Sequence, residues 1–172
     1  MSFTLALRIP GWCKQAVVAV NGERISQQEL NIVQGYAKIT RQWQQGDQVT
    51  LTLDMPVMRI HSHPHVRDNI GKVALQRGPF VYCLEQIDNG AHLHQIVLPQ
   101  DTELNIRHDA DLLGGITVIE GQGLRIDDSS WSGELYSAEA LPKESATKVT
   151  FIPYYAWANR GENEMSVWVR EK

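Results

Sequence analysis

Three histidines set two residues apart, His61-Ser62-His63-Pro64-His65, are the side chains best arranged for metal chemistry in this chain of 172 residues. On a strand, residues two apart share a face, so three imidazoles could converge on a zinc ion. Pro64 interrupts ladder pairing, and no Cys or carboxylate is spaced with the histidines as a fourth ligand. The segment therefore reads as a polar link between strands. His92 and His94 repeat the spacing beside Gly90 and read as loop residues. Glycoside hydrolysis needs two carboxylates facing one bond. Asp47, Asp54, Asp68, Glu85, Glu120 and Glu134 are available, but nothing in their spacing selects a pair, and Asp47 belongs to a turn. No GxSxG, HExxH or P-loop pattern occurs, and Gly121-Gln122-Gly123 lacks the strand-to-helix context of a phosphate cradle. No catalytic or metal-binding residue is assigned.

Rings are the stronger signal. Five tryptophans and five tyrosines fit the pleated, half-buried surfaces of a β protein, and most of them read as core. The stretch from Ile152 to Gly161 differs. Tyr154, Tyr155, Trp157, Asn159 and Arg160 bring three rings, an amide and a guanidinium into an irregular segment bounded by Pro153 and Gly161. A loop of this composition packs against a neighbour or offers stacking and hydrogen bonds to a sugar. These five are the candidate substrate-binding residues.

The elements that would position them follow a period of two. Leu5, Leu7 and Ile9 alternate with Ala6 and Arg8 up to Pro10-Gly11. Val18 and Val20 lead into Asn21-Gly22, a dipeptide that tolerates positive φ in a tight hairpin. Tyr36 to Arg41 is a further short strand. After the turn at Gln44–Asp47, Val49, Leu51, Leu53 and Met55 alternate with Thr50, Thr52 and Asp54, the cleanest half-buried strand in the chain. More strands are expected at Lys72–Gln76, Phe80–Leu84, Gly115–Ile119, Lys148–Ile152 and Ser166–Arg170. Single helical turns are expected at Ser26–Glu29 and Asp109–Leu113, but no stripe of period 3.6 lasts three turns. The fold class is all-β, an antiparallel β-sandwich in two small lobes. A change of character near Ile87–Gly90 puts residues 1–87 plus 164–172 in the first lobe and 88–163 in the second.

Composition bounds the function. The chain is 42% hydrophobic and 21% charged, with 16 Lys+Arg against 20 Asp+Glu and a net charge of −4. That balance gives no basic face for nucleic acid. No apolar run reaches the roughly 18 residues of a membrane span. Met1 to Leu5 lacks the charged and apolar regions of a signal peptide, so a cytoplasmic location is the default expectation. Cys13 and Cys83 sit beside apolar residues and read as buried thiols.

Four segments taken together resemble one family. They are Leu7-Arg8-Ile9-Pro10-Gly11-Trp12; Trp43-Gln44-Gln45-Gly46-Asp47 running on to Leu53–Val57; Gly71–Glu85 with its Arg77-Gly78-Pro79-Phe80-Val81-Tyr82-Cys83; and Ile152–Gly161 followed by Met165-Ser166-Val167-Trp168. Their order resembles the C-terminal region of glycoside hydrolase family 127, the β-L-arabinofuranosidases, formerly a domain of unknown function. The resemblance implies β-sandwich domains behind an N-terminal (α/α)6 barrel. It also implies a barrel site where a zinc-bound cysteine thiolate and a Glu act, its ligands including adjacent cysteines. This chain has no Cys-Cys pair, so zinc is expected only in the barrel of a parent protein, and no cofactor is expected here. The leading expectation is a non-catalytic β-sandwich part that supports that barrel, with a homo-oligomer contact as a further partner. The alternatives are a carbohydrate-binding module acting through exposed rings, and a small enzyme with an unrecognised carboxylate pair.

Overall fold

The computed structural model describes residues 1–26, 29–129, 131, 133, 135–138 and 143–172. The chain forms two compact units, Met1–Pro56 and Val57–Lys172.

The first unit holds β1 (Ser2–Arg8), β2 (Ala16–Val20), β3 (Glu23–Arg24), β4 (Asn31–Val33), β5 (Tyr36–Gln42) and β6 (Val49–Leu53). They make two three-stranded antiparallel sheets, ordered β1-β5-β4 and β3-β2-β6. Register places Leu5 opposite Ile39 and Leu7 opposite Ala37, so the period-two apolar positions of both strands fall on one face. That face meets Val18, Val20, Val49 and Leu51 of the other sheet in a shared core, which makes a small sandwich. Asn21 and Gly22 have φ of 53° and 85°, the left-handed pair that a tight hairpin requires. Asp47 accepts hydrogen bonds from the Gln44 N–H (2.9 Å) and from Asn21 Nδ2 (2.8 Å), which joins two turns of the unit.

The second unit holds β7 (Val57–Ile60), β8 (Lys72–Arg77), β9 (Phe80–Glu85), the single helical turn α1 (Gln86–Asn89), β10 (Ile96–Leu98), β11 (Asn105–Asp109), β12 (Ile116–Asp127), β13 (Lys143–Pro153), β14 (Met165–Ser166) and β15 (Val169–Glu171). The ladder runs β14-β9-β13-β12-β10-β15-β8-β7, and β8 also pairs with β9. Six strands, β8-β9-β13-β12-β10-β15, therefore close into a ring. All six contribute to one core, among them Leu75, Leu84, Phe151, Ile119, Leu98 and Val169. The pairings are antiparallel except that of β15 with β10, which is parallel. Alternate residues of β9, β12 and β13 face the other way. Cys83, Val118 and Ile152 pack there under Ala156, Met165 and Val167, so the segment after β13 folds back over the outside of the sheet.

The all-β expectation is met, and the structure corrects its details. The division falls at Pro56, not in the composition break at 88–90. The reason is pairing: β8 and β9 hydrogen-bond to β13, β14 and β15 and share their core. The last strand likewise joins the second unit. Ile87, Asp88 and Asn89 belong to the α1 turn, which Gly90 ends at φ 77°. The helical turn expected at Asp109–Leu113 is instead an Asx turn, in which Asp109 Oδ1 accepts from the N–H groups of Asp111 and Leu112, each at 3.2 Å. The turn expected at Ser26–Glu29 lies partly outside the described residues.

Candidate functional site

The ring-rich segment leaves β13 at Pro153 and makes one 3-10 turn, Tyr154–Ala156. It then passes through Ala158 at φ 62° and Gly161 at φ 104°. What holds so irregular a path is Glu85. This last residue of β9 shares the outward face of Cys83, and its side chain is completely buried. Its carboxylate accepts from the Ala158 N–H (3.0 Å), from Asn163 Nδ2 (3.3 Å) and from Arg160 Nη2. Arg160 also donates to Asp88, with Nη1 at 2.8 Å from Oδ1. Asn89 fastens the same junction from below, donating to the carbonyls of Glu85 and Thr150 and accepting from the Thr150 N–H.

Burial pushes the Glu85 carboxyl upward, but the hydrogen bonds from Arg160, Ala158 and Asn163 outweigh it and hold the group below the usual carboxylate range. Hydrogen bonds from Arg160 to Asp88 and Glu85 raise the guanidinium in turn. A buried carboxylate is tolerated when its charge is matched and its lone pairs are filled. Here both conditions hold, so Glu85 stays ionised and has no proton to give.

The five residues singled out by sequence separate into two groups. Asn159 is exposed, but its Nδ2 donates to the carbonyls of Ala156 (3.0 Å) and Trp157 (3.3 Å), and Arg160 is held by Glu85 and Asp88. Tyr154, Tyr155 and Trp157 remain 45%, 61% and 38% exposed. Tyr154 stacks on Trp157 with centroids 5.9 Å apart, and Tyr155 meets Phe80 edge-on at 5.4 Å. Tyr154 also lines a cavity of about 610 Å³ with Asp68, Lys72, Val81, Met165 and Trp168.

The other candidates do not assemble a catalytic group. Glu85 and Asp88 come together, but around the guanidinium of Arg160, which both of them bind. Glu120 pairs with Arg107 (3.0 Å) and Lys148 (3.1 Å). Asp54 is exposed, and Glu134 lies outside the described residues. The histidines are dispersed. His61 Nε2 lies 2.7 Å from Glu171 Oε2, and Glu171 also accepts from Arg59 at 2.9 Å. His63 and His65 touch ring to ring at 4.7 Å, and His92 and His94 at 5.8 Å. Among the described residues, no three His, Cys, Asp or Glu stand together as metal ligands. Zinc chemistry of the kind the resemblance implies needs a thiolate. Cys83 is buried and unbridged, and burial pushes its thiol up to about 12; it does not fit that role. Glu85 was legible only as a carboxylate ending an apolar strand, Phe80-Val81-Tyr82-Cys83-Leu84, a position that demands a cation from elsewhere in the chain.

The model described as "Glycoside hydrolase family 127 C-terminal domain" matches residues 57–170. The one described as "Beta-L-arabinofuranosidase, GH127 middle domain" matches residues 1–55. The two matches meet where the two compact units divide, so this is a tandem of all-β domains of the glycoside hydrolase class. The chain belongs to glycoside hydrolase family 127. It is 33% identical, over 98% of its length, to a non-reducing end β-L-arabinofuranosidase of Bifidobacterium longum subsp. longum. A crystal structure of a GH127 β-L-arabinofuranosidase from Geobacillus stearothermophilus T6 superposes on the whole chain with a TM-score of 0.94 and 54% identity. A further GH127 β-arabinofuranosidase structure does so with a TM-score of 0.84 and 32% identity. The chain spans 26% of the first relative's length and 27% and 28% of the two solved chains.

Proposed function

We propose that this chain is the non-catalytic β-sandwich part of a β-L-arabinofuranosidase-like glycoside hydrolase and supports an N-terminal (α/α)6 barrel that carries the chemistry. The observation that supports the reading is the state of the carboxylates. Glu85, fully buried beside Asp88, is tied to Arg160 and held below the usual carboxylate range, so it cannot serve as a general acid, which has to carry a proton near neutral pH. The relatives' lengths support it too, since about three quarters of each lies outside the matched region.

The test is hydrolysis of an aryl β-L-arabinofuranoside by this chain alone and by a polypeptide that joins it to its N-terminal portion. Turnover only by the longer polypeptide is expected. Turnover by this chain alone, abolished by a carboxylate-to-amide substitution, would overturn the reading. A second reading, direct sugar binding, draws on the exposure of Tyr154, Tyr155 and Trp157. Against it, donors of the polar neighbours that would orient sugar hydroxyls are already engaged, Asn159 Nδ2 with carbonyls of the loop and Arg160 with Glu85 and Asp88. Localised amide shifts at residues 154–160 on titration with arabinose-containing oligosaccharides would favour it.

A further inference from the structure

Five large apolar side chains of the second unit lie exposed in two contact groups, Phe80 with Tyr155 and Val81 with Tyr154 and Trp157. Phe80 and Val81 start β9, at 39% and 42% exposure. Phe80 touches Tyr155, Val81 shares the 610 Å³ cavity with Tyr154, and Tyr154 stacks on Trp157. Asp68, Asn69 and Lys72 border the same cavity. An apolar, aromatic centre with a charged rim is the anatomy of a protein interface, and Tyr and Trp are the residues that most often dominate its energy. The patch is also fixed in place. Pro153 leads into the turn that carries the rings, and the Glu85–Arg160–Asp88 cluster clamps the far end of the loop. Rings held in this way lose little freedom on docking.

We infer that the Phe80–Val81–Tyr154–Tyr155–Trp157 patch is the surface on which the N-terminal portion of the parent polypeptide docks. This rests on the proposed function and names the surface that would serve it. The occupant is argued from length and chemistry. About three quarters of each matched relative lies outside this region, and the matched models are those of a middle and a C-terminal domain. A sugar would need convergent polar groups beside the rings, whereas Asn159 Nδ2 donates to loop carbonyls and Arg160 donates to Asp88 and Glu85.

The experiment is maleimide labelling of a Tyr155→Cys variant of the polypeptide that carries the N-terminal portion. An Ile106→Cys variant is the control, since Ile106 is 46% exposed on β11. Arabinofuranosidase activity is followed in parallel, and a Phe80→Cys variant serves if Tyr155→Cys does not fold. Docking predicts labelling at position 155 about tenfold or more slower than at position 106, independent of protein concentration, in an active protein. Equal labelling at the two positions in an active protein would overturn the docking surface and leave the proposed function standing. Protection that fades on dilution would assign the patch to a second copy. Protection that appears only with an arabino-oligosaccharide would assign it to sugar. Either outcome overturns the inference. Absence of turnover in the unsubstituted polypeptide would instead overturn the reading on which it rests.

Discussion

Arg160 donates to the carboxylate of Glu85, 75 residues earlier in the chain and completely buried. One ion pair thereby connects the end of strand β9 to the loop that follows β13, and most of what is distinctive about the ring-bearing segment depends on it.

Removing one partner of a buried pair leaves an uncompensated charge. Arg160→Met is expected to destabilise the second unit by about 3–5 kcal/mol. Adding Glu85→Gln to that variant removes the stranded charge and should recover part of the loss. Urea unfolding of both variants, followed by tryptophan fluorescence, checks the order. A double variant less stable than Arg160→Met would contradict the pairing.

Acid should weaken the fold through the same group. Glu85 and Glu171 both titrate below their ordinary value of 4.5 when folded. At Glu171, burial pushes upward and the hydrogen bonds from His61 and Arg59 outweigh it. A depressed folded value means that the unfolded chain binds protons first as pH falls. The stabilisation is thus complete above about pH 4.5 and is lost as pH drops through the lower folded values. Unfolding midpoints measured from pH 7 to pH 3 should fall on the acid side, and Glu85→Gln should flatten that limb.

Cys83 should be chemically silent in the native chain. Its thiol is fully buried and pushed up to about 12, so almost no thiolate exists at pH 8. Iodoacetamide should modify it only as fast as the second unit opens, and promptly in urea. Rapid native labelling at Cys83, mapped by peptide mass, would show that the loop over it does not close.

Two glycines should respond oppositely to the same substitution. A Cβ at Gly123 would stand 2.8 Å from Val149 Cγ1 and 3.1 Å from the Val97 carbonyl oxygen, so Gly123→Ala is expected to cost about 1–3 kcal/mol. At Gly11 a Cβ meets nothing within 4 Å. Gly11→Ala should be neutral or stabilising by up to about 1 kcal/mol, through loss of unfolded-state freedom. Thermal melts of the two variants separate these outcomes.

The fold was legible where the information is local. Alternation from Val49 to Met55 and the Asn21-Gly22 turn each specify their own strand or hairpin within a few residues. What escaped is non-local. A strand was expected to stop at Ile119, yet β12 continues through Gly121 and Gly123, because missing side chains there admit Leu104 and Val149 at close range. The polar run Lys143–Thr147 looks like loop but pairs with Asp127 through Gly123. At the candidate site, composition singled out a segment whose rings are exposed in the fold. The partners of Asn159 and Arg160 were not legible, since a polar side chain looks the same in sequence whether it faces solvent or a carboxylate many residues away.

The three residues of β15 lie between β8 and β10 and complete the ring. A ribosome releases the chain from its N-terminus, so β8 and β10 emerge long before the strand that separates them. Until residue 171 has cleared the exit tunnel, both strands carry an open edge able to pair with another nascent chain. The strand pairings and core of the first unit lie within Met1–Pro56, so they can form while synthesis proceeds. The second folds only after translation has passed it, and that interval is when this protein is most exposed to misassembly.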